Sequence, residues 1–245
     1  MASAGQETLD GQISALPMYL RILKAIVGGV NRTIRAITPD PSFFDNADFP
    51  WVADVETDFE AIRAECLAVV GDLNGVPNLE DVAEGFGSKK LADGGDWKGI
   101  LLMAFGRPIE KNTTRCPRTW QALQKIPGVQ SALFSILAPG VHLARHEGPF
   151  AGVLRYHLGV IVPTGEGCRI SVDDETRTWP EGGSLIFDDT HPHEVWNETD
   201  SLRVVLFVDF IRPTPWPLYK ALQLAFLFAR QTPLARNLVR NAERA

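Results

Sequence analysis

Cysteine is scarce in this chain of 245 residues. The three present, Cys66, Cys116 and Cys168, are widely spaced and form no CxxC pair. An odd number at such spacing excludes a disulfide framework and suits reduced thiols in a cytoplasmic protein. Excess positive charge is missing too. Lys and Arg number 24 against 30 Asp and Glu, for a formal net charge of −6 and a pI near 5.4. That balance argues against a nucleic-acid partner, because phosphate neutralisation needs a basic surface. Long hydrophobic runs are absent: the longest, Ala221 to Ala229, is broken by Gln223 and is too short for a transmembrane segment. The opening residues, MASAGQETLDGQ, lack the plan of a secretory signal. The expectation is a soluble cytoplasmic protein, at most peripheral to a membrane.

The length fits one domain with appendages. Residues 1–15 read as a disordered leader. Over 16–40, Leu16, Leu20, Leu23, Val27, Val30, Ile34 and Ile37 recur four and three apart, the stripe of an amphipathic helix, with Arg21, Lys24, Arg32 and Arg35 off the stripe. Such a helix packs on its own domain or on a second copy, giving a homodimer through the terminal helices. A basic amphipathic helix can also rest on an anionic membrane surface, which is the lesser of the two readings. Pro39 and Pro41 end it. The stretch FFDNADFPW reads as a loop, Thr57 and Glu60 have the spacing of a capping box that opens a helix, and residues 72–96 read as a long loop. A strand over Ile100–Phe105 and a helix over Cys116–Lys125, begun by Pro117, follow. The domain is expected to span 41–213, with a helical segment over 214–245 that is apolar early and basic late.

From Val129 onward the pattern changes. The runs VQSALFSIL, GVLRYHLGVIVP, CRISV, TRTW, SLIFDD, HEVWN and LRVVLFVDFIR are short, β-prone and separated by turn clusters. This predicts a mainly β fold with flanking helices, a sandwich or jelly roll. All five histidines of the chain (His142, His146, His157, His191 and His193) fall within this region. Imidazole is the commonest protein ligand for iron, zinc and copper. His146 opens HEGP after one strand and His193 opens HEVWN at the start of another, so only a closed barrel could join them.

Arginine supplies the second signal. Arg155 and His157 are two apart on one strand and share a face, while Arg203 begins the apolar run LRVVLFVDF. A guanidinium inside a barrel costs several kcal/mol, roughly, unless an anion meets it. Two readings follow: a carboxylate-bearing ligand, or an internal pair with Asp188, Asp189 or Asp209.

The ordered blocks SILAPGVHLARHEGP, LRYHLGVIVP, CRI, WPEG, FDDTHPHEVW and RVVLFVD, with GDW and CPRT upstream, resemble the aspartyl/asparaginyl β-hydroxylase family over about residues 50–213. The resemblance implies a double-stranded β-helix (jelly-roll, cupin-like) core using Fe(II), 2-oxoglutarate and O2. The expected reaction hydroxylates an sp3 C–H bond and releases succinate and CO2. It implies His146 and His193 as iron ligands, Ser135 and Arg203 on the distal carboxylate of 2-oxoglutarate, and Arg155 with His157 near its metal-side end.

Most related oxygenases carry an acid two residues after the first histidine, where this chain has Gly148; the β-hydroxylases are similar in lacking it. A glycine there could also admit halide, which keeps a 2-oxoglutarate-dependent halogenase as a minor alternative. Relatives that act on peptides tend to carry Arg and Asn where this chain has Val153 and Phe150-Ala151, so FAGVLRYHLG is closer to bacterial members, some similar to acyl-chain hydroxylases. The substrate class left open is a small molecule, a peptide or a lipid-like acyl chain. The main alternative is a cupin-like metal- or lipid-binding or sensor protein without oxygenase activity.

Overall fold

The computed structural model describes residues 18–71, 76–79, 91–93 and 96–244. The expected leader and most of the expected loop 72–96 lie outside the described residues. The helices are α1 (Met18–Ile37), α2 (Trp51–Glu56), α3 (Phe59–Val70), α4 (Glu110–Thr113), α5 (Pro117–Leu123), α6 (Trp216–Ala229) and α7 (Pro233–Arg244). The strands are β1 (Phe43–Phe44), β2 (Ala92–Asp93), β3 (Trp97–Ala104), β4 (Arg107–Pro108), β5 (Val129–Leu137), β6 (His142–His146), β7 (Val153–Ile161), β8 (Cys168–Val172), β9 (Glu175–Arg177), β10 (Ser184–Phe187), β11 (His193–Asn197) and β12 (Arg203–Ile211).

The β-prone runs from Val129 onward become β5 to β12, and successive strands are dealt between two sheets. One sheet carries β10-β7-β12-β5 as neighbours and the other β6-β11-β8-β9. Early and late strands of the run therefore interleave, which makes a double-stranded β-helix. In the first sheet β1 extends one edge and β3 with β4 the other, giving seven strands; β2 adds a fifth strand to the second.

Strand periodicity sorts the side chains between two cores. On β12, Val204, Leu206, Val208 and Phe210 pack outward with Val55, Ile62, Cys66 and Leu123 of the helical layer. Val205 and the partly buried Phe207 instead face the barrel interior with Val172, Trp179, Phe187 and Val195. The same alternation places Arg203 and Asp209 inward on β12, Arg155 and His157 inward on β7, and Ser135 inward on β5.

Helix α3 does not open on the expected capping box. Thr57 Oγ1 donates to Asp54 O at 2.7 Å, and the cap position of α3 is Asp58, which makes no side-chain capping bond. The reason lies upstream, where α2 starts at Trp51, the last residue of the stretch read as a loop, and runs to Glu56. Its Val52 and Val55 are buried, and Trp51 packs edge-on against Tyr156 and Phe210 with centroids 5.2 Å away in each case. Burial of those side chains overrides the weaker local signal at Thr57.

The terminal helices dock on the barrel at different places. Helix α1 runs through Gly28-Gly29 without interruption. It buries Ile34, and its Asn31 amide donates to Pro149 O at 3.1 Å and accepts from Ala151 N at 3.0 Å. Leu222 of α6 joins Ile34, Ala151 and Ile211 in one apolar cluster. Helix α7 packs with Ala104 and Ile109, and the Glu243 carboxylate accepts from the free N–H groups at the start of α4, Glu110 N at 2.5 Å and Lys111 N at 3.2 Å. No helix among the described residues is long and apolar enough to cross a membrane.

Candidate active site

The antiparallel register of β6 and β11 sets His146 opposite His193, with ring centroids 4.1 Å apart. His146 is thus the last residue of a strand rather than part of the turn expected from HEGP. Each ring is oriented by its own backbone. His146 Nδ1 donates to Ala144 O at 2.7 Å, and His193 Nδ1 donates to His191 O at 2.9 Å. With the proton on Nδ1, each Nε2 keeps its lone pair. Burial holds His146 below its ordinary pKa. It pushes His193 down to about 3, helped by the neighbouring His146 and Arg155 charges. Two neutral imidazoles with backbone-fixed tautomers are what a metal ion requires of histidine.

The facing sheet carries, at the start of β12, a buried charge with no counter-charge among the described residues. Arg203 is 2% exposed, and no carboxylate among the described residues lies within ion-pair distance of it. Its Nη1 contacts Ser135 O at 3.4 Å and Ser135 Oγ at 3.5 Å, its guanidinium lies 4.9 Å from the Trp179 ring centre, and its Nε has no hydrogen-bond partner. Burial lowers its pKa to about 10, only partly opposed by a hydrogen bond with the Cys168 thiol, the cost of desolvating a cation that no carboxylate meets. Trp97 Nε1 donates to Ser135 Oγ at 3.0 Å and so aims that hydroxyl.

His157 is close to this charge. Trp179 Nε1 donates to its Nδ1 at 3.3 Å, which leaves the ring proton on Nε2, an atom that has no partner. Burial, then the charges of Arg203 and Arg155, hold the imidazole neutral.

Arg155 behaves differently. Its Nε donates to Asp209 Oδ1 at 2.9 Å, its Nη2 pairs with Asp189 Oδ2 at 2.8 Å, and its guanidinium lies 4.1 Å from the Phe207 ring centre. The sequence left internal Arg–Asp pairing open for both arginines. Arg155 is so paired and Arg203 is not.

Asp189 is the residue that sequence reasoning did not place in the site. It is 4% exposed, burial pushes its carboxyl up to about 6, and its Oδ1 has no hydrogen-bond partner. It fills the place that Gly148 leaves empty. A Cβ on residue 148 would lie 2.1 Å from Asp189 Oδ2. The two backbones are joined there as well, Gly148 N donating to Asp189 O at 2.6 Å. The only local signal was the Asp188-Asp189 pair before His193, and sequence does not say which aspartate turns inward. Asp188 is spent elsewhere, accepting from Thr190 Oγ1 at 2.6 Å and from Arg212 Nη1 at 2.9 Å.

The remaining histidines lie apart from the pair. His142 stacks on Trp196 at 5.1 Å and lies 3.2 Å from Glu194 Oε2. His191 bridges Asp173 Oδ2 at 2.6 Å and Asp40 Oδ1 at 3.2 Å. Ligand atoms of Asp40, Asp188 and His191 lie within 4.8 Å of one another. Arg212 already supplies a cation there, 3.2 Å from Asp40 and 2.9 Å from Asp188, so the cluster is an ion-pair knot that runs from the buried Asp188 to the exposed Asp40.

Neutral imidazoles facing each other across one ladder of a double-stranded β-helix define the class, a cupin-like barrel. Sequence comparison narrows it. The family model for aspartyl/asparaginyl beta-hydroxylase matches residues 56–213, and the chain belongs to that family. It is 46% identical over 179 residues to the ornithine lipid ester-linked acyl 2-hydroxylase of Rhizobium tropici, covering 73% of this chain and 63% of that protein. It is 37% identical over 171 residues to human aspartyl/asparaginyl beta-hydroxylase, covering 68% of this chain and 22% of that protein. The chain therefore spans less than two thirds of the length of either relative. The crystal structure of a Pseudomonas putida prolyl-4-hydroxylase aligns with a TM-score of 0.41 at 15% identity, covering 76% of this chain and 99% of that one.

Proposed function

We propose that the protein is an Fe(II)- and 2-oxoglutarate-dependent dioxygenase that hydroxylates an sp3 carbon in the acyl chain of a lipid. The observation that carries the reading is Arg203. It is a fully buried guanidinium without a carboxylate partner among the described residues, on the inner face of the sheet opposite the one that carries a pair of neutral imidazoles. A buried cation of this kind is stable only if an anion joins it in the working state. A dicarboxylate with one end on Arg203 and the other toward a metal on His146 and His193 meets both needs.

The residues fit that group. His146 and His193 would hold Fe(II) through Nε2, and the iron, when bound, supplies O2 activation coupled to decarboxylation of 2-oxoglutarate to succinate and CO2. Arg203 and Ser135 would grip the distal carboxylate, with Trp97 aiming the Ser135 hydroxyl. His157 would donate its free Nε2–H to the cosubstrate, its tautomer set by Trp179. Arg155 anchors Asp189, which would supply near the iron the negative charge that Gly148 cannot. That carboxylate also takes up the room a halide would need, which favours hydroxylation over halogenation.

An acyl substrate is supported by the name of the R. tropici relative and by Val153 and Phe150-Ala151, which stand where peptide-acting relatives tend to carry polar residues. The test is Fe(II)-dependent succinate formation with an ornithine lipid as the first candidate substrate, and gain of one oxygen in the lipid by mass spectrometry. Both should vanish in His146→Ala and His193→Ala. Protein that binds lipid but forms no succinate with any acyl substrate would instead be a cupin-like binding module, and the proposal would fail.

A further inference from the structure

We infer that α1 and α6 form a docking face for an anionic lipid bilayer at the rim of the active-site barrel. The inference rests on the acyl-substrate reading and names the partner surface that delivers the substrate.

Position comes first. The loop 147–152 leaves β6 directly after His146. Helix α1 is fastened to this loop through Asn31, and to the segment before His193 through Arg35 Nη2, which donates to Thr190 O at 2.9 Å. Helix α6 packs on the same loop: Leu222 and Phe226 share an apolar cluster with Phe150 and Ala151. Helix α1 therefore sits on both segments that flank the histidine pair, and α6 on the one that follows His146.

Each helix also turns apolar side chains to solvent. On α1, Met18, Ile22 and Ile26 continue outward, at four-residue steps, the row that ends in the buried Ile34, and Ile22 and Ile26 are 54% and 58% exposed. On α6, which is apolar nearly all round, the side away from Leu222 carries Trp216, Leu227 and Phe228, with Trp216 at 73% and Phe228 at 75% exposure. A helix apolar on all sides is normally buried, and single exposed apolar residues would mean little. Here both helices present theirs beside the same site.

Charge selects the occupant. Helix α1 carries Arg21, Lys24, Arg32 and Arg35 and no acidic residue. Helix α6 and the residue that caps it add Lys220 and Arg230 and no acidic residue. Together the two helices hold a net +6, which leaves −12 on the rest of a chain whose total is −6. Like-charged faces of two copies would repel, whereas an anionic bilayer attracts this face and repels the acidic remainder. Aromatic and aliphatic side chains beside Lys and Arg are the composition of helices that lie in a membrane interface.

The test is flotation of the full chain with vesicles of phosphatidylcholine alone and of phosphatidylcholine mixed with phosphatidylglycerol, with Trp216 as a native fluorescence probe. Binding should need the anionic lipid, weaken with salt, and shift the emission to the blue, the shift being lost in Trp216→Ser. Ile22→Glu/Ile26→Glu and Leu227→Ser/Phe228→Ser should each weaken vesicle binding at least about tenfold. The same variants should keep wild-type affinity for 2-oxoglutarate in the Fe(II)-loaded protein. Absence of binding to anionic vesicles overturns the inference. So does a concentration-dependent dimer that these substitutions dissolve, because the occupant would then be a second copy. Vesicle binding by a protein that takes up neither Fe(II) nor 2-oxoglutarate would sink the enzymatic reading and leave the docking face standing.

Discussion

Asp189 occupies the space above Gly148: a Cβ on residue 148 would lie 2.1 Å from Asp189 Oδ2 and 2.3 Å from its Cγ. The missing acid after the first histidine and the carboxylate near the second are therefore one feature, because either side chain excludes the other. Gly148→Ala should cost about 1–3 kcal/mol, the range of overpacking. Asp189→Ala removes the atoms the new methyl would strike. The double variant should thus lose less stability than the two single losses combined, with a coupling of about 0.5–3 kcal/mol. Urea unfolding of the four proteins checks this, and strict additivity would refute the mutual exclusion.

Arg203 and Arg212 are both buried and predict opposite outcomes. Arg212 holds Asp188 at 2.9 Å and Asp40 at 3.2 Å. Arg212→Ala should cost about 3–5 kcal/mol, because it leaves Asp188 buried and unpaired. Arg203 has no carboxylate partner among the described residues and carries a pKa lowered to about 10. In the absence of iron and 2-oxoglutarate, Arg203→Met should be neutral or stabilising. Thermal melts of the metal-free proteins distinguish the two, and a large loss in Arg203→Met would mean that the guanidinium is part of the fold rather than kept for a ligand.

The cysteines give a prediction in pH. Burial raises Cys66 from 9.0 to about 12 and Cys116 from 9.0 to about 11. A thiol whose pKa rises on folding stabilises the protein below its unfolded value, and that stability is lost as pH climbs toward the folded value. Stability should hold up to about pH 9 and fall between 9 and 12. In Cys66→Ala/Cys116→Ala the fall should be shallower, whatever the starting level. Iodoacetamide at mildly alkaline pH should label neither thiol until the protein is unfolded. Fast labelling of Cys66 in the native state would contradict its burial.

Much of the β-helix was legible because the runs from Val129 onward are short, β-branched and cleanly punctuated, and because strand parity alone decides that Arg155 shares a face with His157. The histidines 146 and 193 could be singled out as a candidate pair from the residues, but their role as ligands came through resemblance, since nothing local shows that they meet across a ladder. What could not be read were facts of register and packing. Strand β6 escaped because HLARH has no β-branched residue. Helix α2 escaped because its stability comes from Trp51 packing on a distant strand. The role of Asp189 depends on a backbone contact with Gly148 that only the closed barrel creates. The two arginines looked alike in sequence and differ only in what lies across from them.

The central claim is that Arg203 waits for the distal carboxylate of a cosubstrate held by metal on His146 and His193. The most direct measurement is anaerobic calorimetric titration of 2-oxoglutarate into the Fe(II)-loaded protein, for wild type, Arg203→Met and His146→Ala/His193→Ala. The account predicts saturable binding in wild type, a loss of roughly 1.5–3 kcal/mol in Arg203→Met, and no iron-dependent binding in the double histidine variant. Equal affinity in wild type and Arg203→Met would contradict it.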